Sequence, residues 1–385
     1  MAAKITFFPV GNGDMTLIEL ESGRTVLIDL NIRATADDED DDTPDVAKIL
    51  RDRLNRDSEG RLYVDAFLLS HPDQDHCTGL KKHFHLGPPT SWSKTADKIF
   101  IREIWSSPMV FRRASSNYVL CDDASAFNSE ARRRVERFRD TGGSVSDGDR
   151  ILILGEDEDG KTDDLTAILV RVDEVFTRVD GQYDSSMSAR LLAPQPKSDD
   201  EDEEELRSKN HSSTILNISL AGEGRADVCR FLTGGDAEVA IWERLWQRHA
   251  TRPDWLAYDI LQAPHHCSWH SLSYDSWSDR GEDAEVCEDA RSALSQTRKG
   301  AVIVASSKAI KNNDSDPPCI RAKREYEAIA EEANGSFKCT GEPENKPDLL
   351  EFEVGQHGPR LKTQTMKASA IVGPGVIGSQ PLAHG

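Results

Sequence analysis

The stretch LLSHPDQDH, residues 68–76, decides how this chain is interpreted. It joins the end of an apolar strand, predicted at 66–69, to four potential metal ligands, His71, Asp73, Asp75 and His76. Two imidazoles and two carboxylates at the end of a buried strand repel one another strongly unless a cation lies between them. In an extended segment the first three share one side, and a turn after Asp75 returns His76 to the same point. A polar turn that only closes the strand is the alternative, but four ligands in six positions favour a metal site.

The composition argues against one class of function. The chain has 385 residues and a formal net charge of −21, from 68 acidic and 47 basic residues. Tight binding of long nucleic acid needs lysines and arginines that neutralise phosphates, so this balance disfavours it. The run Arg132–Arg134 with Arg137 and Arg139 could make a local basic patch, although a solvated helix face is the favoured interpretation.

Cysteine usage and hydropathy predict the compartment. The seven cysteines include no C-x-x-C pair, and an odd number of scattered thiols fits a reducing cytosol better than a disulfide framework. The first residues lead directly into a strand without a signal-peptide layout, and no apolar run reaches the length of a membrane span. We therefore predict a soluble, cytoplasmic protein that makes no use of a membrane.

Strand and helix patterns alternate along the chain and predict an α/β sandwich. We expect one domain over 1–362, with polar insertions near 81–150 and 173–210, and a flexible tail over 363–385. Helices are predicted after Pro44, over 124–139, after Asp236 and over 321–333. Strands are predicted at 4–10, 15–20, 25–30, 99–105, 151–154, 165–172, 213–220, 228–232, 256–263, 301–305 and 349–354.

Three later points in the sequence supply more ligands of the same kind. His211 precedes a predicted strand, Asp236 follows a strand and two glycines, and His265 and His266 end another strand. Together with residues 71–76 they make two His–Asp groups, enough for two divalent ions that share a bridging carboxylate. Two such ions, about 4 Å apart, can hold a hydroxide between them and bind a phosphoryl or carbonyl oxygen.

The succession of motifs resembles the metallo-β-lactamase fold superfamily. Within it, the chain is most similar to the hydrolase domain of ComEC-type competence proteins and of phosphorylcholine esterase. The resemblance implies a four-layer αββα sandwich. It is carried by the segments 10–14 (VGNGD), 70–76 (SHPDQDH), 210–213 (NHSS), 232–236 (LTGGD) and 264–268 (PHHCS).

The resemblance also implies roles for the ligands. His71 and Asp73 would bind one metal, Asp75 and His76 the second, and Asp236 both. One histidine of the 265–266 pair would complete the second site, and the other would face the substrate as a hydrogen-bond donor or an acid. Which is which stays open, and we name Asp75 and His266 as catalytic candidates.

Each of two further residues is compatible with two roles. His211 stands about where the superfamily places a third-motif histidine, but the subgroup often lacks a ligand there, so a plain loop histidine is equally compatible. Asp14 either supports the metal ligands from behind or is an ordinary turn aspartate.

Three departures from the superfamily or subgroup pattern refine the expectation. Asp73 replaces a histidine of the wider superfamily and makes the site richer in oxygen, so manganese or magnesium is compatible beside zinc, the favoured metal. Cys267 stands where the subgroup has glycine, and a packed thiol is favoured over a ligand. Asp316 precedes proline where the subgroup has histidine, which puts a substrate contact there in doubt.

The predicted function is hydrolysis at a two-metal site, and a phosphodiester is the favoured substrate class. The substrate would be a nucleotide, a short nucleic acid or a phosphorylated small molecule. A lactonase-like or lactamase-like hydrolase would use the same ions, and a non-catalytic interaction module is the third alternative. The charged insertions could serve a protein partner.

Overall fold

Two β-sheets lie face to face at the centre of the computed structural model, and helices cover their outer sides. The structure describes residues 2–37, 41–108, 120–156, 160–195, 213–344 and 347–362. His211 and the predicted tail over 363–385 lie outside the described residues.

The strands of the two sheets and of one short ribbon follow in chain order. They are β1 Ala3–Phe7, β2 Thr16–Glu19, β3 Thr25–Ile28, β4 Tyr63–Leu69, β5 Phe84–His85, β6 Ile99–Ser106, β7 Arg150–Leu154, β8 Leu169–Val170, β9 Val175–Phe176, β10 Arg178–Val179, β11 Gln182–Tyr183, β12 Met187–Ala193, β13 Ile215–Gly222, β14 Arg225–Leu232, β15 Tyr258–Gln262, β16 Thr297–Lys308, β17 Ser336–Gly341, β18 Leu350–Gly355 and β19 Gly358–Lys362.

The first sheet has the order β19-β18-β1-β2-β3-β4-β6-β7-β8, with β5 paired to β6. Its pairings are antiparallel from β19 to β3 and parallel from β3 to β8. The second sheet has the order β17-β16-β15-β14-β13-β12-β9, and β10 and β11 form the separate ribbon. Here the pairings from β14 to β17 are parallel.

The helices fall into two sets, one outside each sheet. They are α1 Val46–Arg51, α2 Gln74–Cys77, α3 Leu80–His83, α4 Asp122–Asp140, α5 Val239–His249, α6 Trp277–Arg280, α7 Glu288–Leu294 and α8 Ile320–Glu332. Among the described helices, none combines the length and the apolar composition that a bilayer crossing requires.

Side-chain alternation along the strands builds three apolar layers. In β4, Phe67 and Leu69 face the helices, while Ala66 and Leu68 face the other sheet, as the two-residue period of a strand requires. Between the sheets Phe7 meets Phe231 edge to face, with 5.7 Å between ring centroids. The predicted four-layer αββα sandwich is confirmed.

Parts of the described chain differ from the predicted elements. The strand predicted at 165–172 is reduced to β8, because a 3-10 turn at Asp163–Leu165 precedes it. Strands β6 and β12, which belong to the two main sheets, lie within the segments predicted as insertions. The domain limits and the status of those segments as insertions stay predictions.

The arginine-rich run in α4 is solvated at Arg132, Arg137 and Arg139, as its sequence suggests, but not at Arg134. Arg134 is 1% exposed, and its guanidinium donates to Glu130 and to backbone oxygens of Ile101 and Arg150 at 2.8–3.0 Å. Glu130 also accepts from Arg133. The prediction is wrong at Arg134 because α4 turns this position onto the sheet, where strand carbonyls replace water as acceptors.

Candidate metal centre

A buried aspartate fixes the position of the segment that follows β4. Asp29, directly after β3, accepts hydrogen bonds from the Ser70 N–H at 2.7 Å and from the Ser70 hydroxyl at 2.6 Å. The same hydroxyl lies 3.0 Å from Nδ1 of His71. Helix α2 begins at Gln74, so the chain turns before Asp75 and not after it, as the extended-segment prediction had it. This turn sends the two halves of the motif to different sides of the centre.

Asp236 reaches the same point from the second sheet. A Cβ atom on Gly234 would lie 2.7 Å from the Gln262 carbonyl oxygen, so only glycine permits this approach of the two chain segments. The Asp236 N–H donates to the Ser213 hydroxyl at 3.1 Å, and the residue is 2% exposed. The carboxylate is thereby fixed at the carboxyl end of β14, opposite the end of β4.

One oxygen of Asp236 faces the first ligand group, which we define as His71, Asp73 and Asp236. Its Oδ2 lies 3.4 Å from Nε2 of His71, which lies 3.8 Å from Oδ2 of Asp73. One ligand atom from each residue fits within 4.8 Å of the others. His265 stands beside this group, with Nε2 at 3.8 Å from the same Asp236 oxygen.

The other oxygen of Asp236 faces the second ligand group, defined as Asp14, His76, Asp236 and His266, whose ligand atoms also lie within 4.8 Å of one another. Oδ1 of Asp236 lies 3.0 Å from Nε2 of His76 and 3.5 Å from Nε2 of His266. Asp75 adjoins the group, with Oδ2 at 3.2 Å from Nε2 of His266.

The double histidine is presented by a left-handed turn after β15. His265, His266 and Cys267 have φ values of 49°, 53° and 70°, an uncommon run for residues with side chains. Asp316 supports the turn by accepting from the Ser268 hydroxyl at 2.7 Å and from the Trp269 N–H at 3.0 Å. The turn separates the pair, since the His266 side chain is 1% exposed and the His265 side chain 18%.

Two carboxylates hold the histidine rings from behind. Nδ1 of His76 lies 2.9 Å from Asp29, and Asp14 lies 3.7 Å from Nδ1 of both His76 and His266. Because the Nδ1 atoms face these carboxylates, the Nε2 atoms point to Asp236. The sequence prediction included Asp14 but missed Asp29, which lies directly after the apolar strand β3.

The centre leaves buried polar atoms without a well-formed hydrogen bond. Among the described residues these include both carboxylate oxygens of Asp14, Nε2 of His71 and of His76, Oδ1 of Asp236 and both ring nitrogens of His266. Such atoms are costly in a folded protein unless a ligand completes their coordination. Imidazole and carboxylate donors in this number suit a divalent cation.

The charges of the centre shift the pKa values of its groups. Burial lowers the pKa of His76, but Asp236 and Asp29 outweigh it and raise the pKa well above its ordinary value. For His266 the same opposition between burial and the carboxylates, Asp236 first, raises the pKa to about 10. Burial raises the pKa of Asp236, yet the histidines hold it well below its ordinary value. The buried negative charge therefore attracts protons in the absence of metal, as it would attract a cation.

The remaining candidates fall beside the centre or outside it. Cys267 is fully buried and belongs to neither ligand group; its sulfur lies 4.0 Å from the Cys319 carbonyl oxygen. The possible role of His211 stays a prediction.

Comparisons with known proteins give weak likenesses. No protein-family model and no curated protein matches the chain. Among solved structures it is similar to unliganded yeast PDE1, with a TM-score of 0.40 and 11% identity over 88% of this chain and 98% of that one. It is also similar to a long form RNase Z from yeast, with a TM-score of 0.32 and 7% identity over 80% of this chain and 38% of that one. Likenesses this loose do not identify a reaction.

The architecture of the chain agrees with the fold that its sequence predicts. The helix–sheet–sheet–helix layers and the His–Asp turn at the carboxyl end of β4 give the chain the architecture expected of the metallo-β-lactamase fold. The relation to ComEC-type proteins and phosphorylcholine esterase, the cytoplasmic location and a protein partner stay predictions.

Proposed function

We propose that this chain is a metal-dependent hydrolase that cleaves phosphodiester bonds. The observation that carries the proposal is the position of Asp236, whose two buried oxygens each face a different His–Asp group. One carboxylate between two ligand groups is what a pair of divalent ions requires.

The ligand groups divide the proposed ions between them. His71 and Asp73 would hold the first ion, His76 and His266 the second, and Asp236 both, with zinc favoured over manganese or magnesium. Asp14 faces the Nδ1 atoms of His76 and His266 and would orient them, while Asp75, beside Nε2 of His266, would add a carboxylate to the second ion. Such ions, when bound, supply a nucleophile from water at neutral pH and neutralise the charge that develops on a phosphoryl oxygen.

His265 is the residue of the pair that would meet the substrate. Its side chain is partly exposed beside the first group, while His266 is enclosed by the second. Burial lowers the pKa of His265 more than Asp236 raises it, so the ring is neutral at neutral pH. A neutral imidazole can donate one N–H to a phosphoryl oxygen without repelling the nearby ions. Asp75 is held ionised by His266 and His76, which lower its pKa despite partial burial.

Turnover of bis-p-nitrophenyl phosphate with zinc, manganese or magnesium tests the proposal. We expect hydrolysis that a chelator stops and that the double variant Asp75→Ala/His76→Ala loses, together with bound metal. The matched control is Asp279→Ala/His357→Ala, which makes the same chemical change at two exposed positions and should retain both properties. Absence of turnover with all three metals, or full turnover in the first variant, would refute the proposal.

A further inference from the structure

A cavity of about 430 Å³ lies next to the turn that carries Asp14 into the metal centre. One wall contains Gly11 and Asn12, and another contains Pro317 and Pro318. The amide of Asn12 donates to the Pro317 carbonyl oxygen at 3.2 Å, so the two walls are joined at one point.

Both walls continue directly into residues of the centre. Asn12 stands two residues before Asp14, a separation of at most about 7 Å along an extended chain, and the Asp14 N–H donates to the Asp75 carbonyl oxygen at 3.2 Å. Gly13 between them is packed so closely that an added Cβ would lie 2.7 Å from that oxygen. Pro317 follows Asp316, which holds the turn of His265 and His266. The cavity is therefore a neighbour of the centre and is fixed relative to it.

The lining of this cavity is basic although the chain as a whole is strongly acidic. Arg33, Lys308 and Lys311 line it. The Arg33 guanidinium and the Lys308 side chain pass over Gly11, at 3.6 Å and 3.9 Å from the position of a Cβ on that residue. Two long cationic side chains thus converge on one glycine.

The described carboxylates neutralise only part of this charge. Lys311 pairs with Glu344 at 2.6 Å. Within the described ranges, no carboxylate oxygen lies within ion-pair distance of Arg33 or Lys308. The exposed Asp41 interacts with Arg33 only through a longer-range Coulomb attraction. Converging cations that no described carboxylate contacts, one of them a guanidinium with a fork of donors, suit the oxygens of a phosphate.

We propose that this pocket binds a second phosphate of the substrate, next to the one that is cleaved. The inference rests on the proposed phosphodiesterase function and narrows its substrate class to nucleotides or short oligonucleotides that carry a further phosphate. The scissile phosphate occupies the centre, and Arg33 and Lys308 hold its neighbour across the Gly11–Asn12 turn. A phosphodiester without a second phosphate lacks this interaction.

Two chromogenic substrates that differ by one phosphate test the proposal. They are thymidine 5′-(p-nitrophenyl phosphate) and the same compound with a 3′-phosphate. We expect kcat/KM to be at least about tenfold higher for the second, and we expect Arg33→Met or Lys308→Met to bring the ratio of the two values towards one. Lys299→Met, at the other end of β16 and exposed, is the matched control and should keep the ratio. Equal kcat/KM values in the unsubstituted protein, or a ratio unchanged in both pocket variants, would overturn the proposal.

A binding measurement separates this proposal from the proposed function. Calorimetric titration of the zinc-loaded chain with thymidine 3′,5′-bisphosphate and with thymidine 5′-monophosphate needs no turnover. Tenfold tighter binding of the bisphosphate, lost in Arg33→Met and kept in Lys299→Met, supports the pocket even if neither chromogenic substrate is cleaved. Equal binding of the two nucleotides rejects the pocket, including the case in which both substrates are hydrolysed.

Discussion

Two regions in which this molecule buries charged side chains differ in how those side chains are paired. Around Arg134 the guanidinium donates to the Glu130 carboxylate and to strand carbonyls, and no polar side-chain atom of Arg134 or Glu130 lacks a partner among the described residues. At the metal centre the carboxylates and imidazoles are just as buried, yet several of their atoms lack one. We call the first region the arginine network.

The difference shows which buried charges indicate function. A network in which every polar atom has a partner offers no donor or acceptor to a ligand, so its role is to stabilise the fold. The centre is also held by hydrogen bonds, through Asp29 and Ser70, but Nε2 of His71, His76 and His266 and Oδ1 of Asp236 remain unsatisfied. Several buried, unsatisfied imidazole and carboxylate atoms gathered around Asp236 therefore mark the candidate ligand site.

The largest effect is expected for Asp236→Asn. This change keeps the volume of the side chain but removes the charge that both ligand groups share. Both proposed ions should therefore bind more weakly or not at all. We expect kcat/KM for bis-p-nitrophenyl phosphate to fall about 10³-fold or more, with a matching loss of bound metal in elemental analysis. Asp254→Asn, at an exposed carboxylate, is the control. Retention of two metal equivalents with full activity would remove the distinction between the two regions.

In the arginine network, Arg134→Met should act on stability and not on metal. It leaves the buried Glu130 with less compensation and several strand carbonyls without a donor. We expect a loss of about 3–5 kcal/mol in the free energy of unfolding, measured by denaturant titration, with unchanged metal content per folded molecule. A variant of normal stability that had lost its metal would show that the network serves the centre.

The two regions also differ in how far the sequence predicted them. The first ligand group was predictable because His71 and Asp73 are almost adjacent in a recognisable motif. Asp29 was missed because its partners, Ser70 and His76, are more than forty positions away and only the pairing of β3 with β4 joins them. Contacts of that kind depend on strand register, which single-sequence patterns do not encode.

Arg134 was missed for a different reason, since a signal existed. Phe127, Ala131 and Val135 form the buried face of α4, and helical spacing places Glu130 and Arg134 on that same face. The many charged residues of the run suggested that it is exposed to solvent, while the helical spacing of the apolar residues indicated that this face is buried. Among the strands, β12 was missed because Ser188 and Arg190 interrupt its apolar residues and an acidic stretch follows it.

The pH dependence of stability should separate metal-free from metal-loaded protein. The raised pKa of His266, about 10, contributes stability that is fully present below its ordinary pKa of 6.5 and is lost as the pH rises towards 10. A bound ion takes the place of that proton. From pH 7 to pH 9.5 we expect the stripped protein to lose on the order of 2 kcal/mol of unfolding free energy and the zinc-loaded protein less than half of that. Equal losses in both forms would show that no proton is exchanged for metal.

The smallest effect is expected at the exposed C-terminal end of α4, the helix that carries Arg134. Arg139 pairs with Asp164 at 2.6 Å, but their side chains are 41% and 56% exposed, and water competes with such a pair. Arg139→Met should therefore cost about 0–1 kcal/mol, measured by the same denaturant titration as Arg134→Met, with no change in metal content. A loss above about 2 kcal/mol would mean that burial does not set the strength of the arginine contacts in α4. The contrast between Arg134 and Arg139, five positions apart and of the same residue type, isolates that single variable.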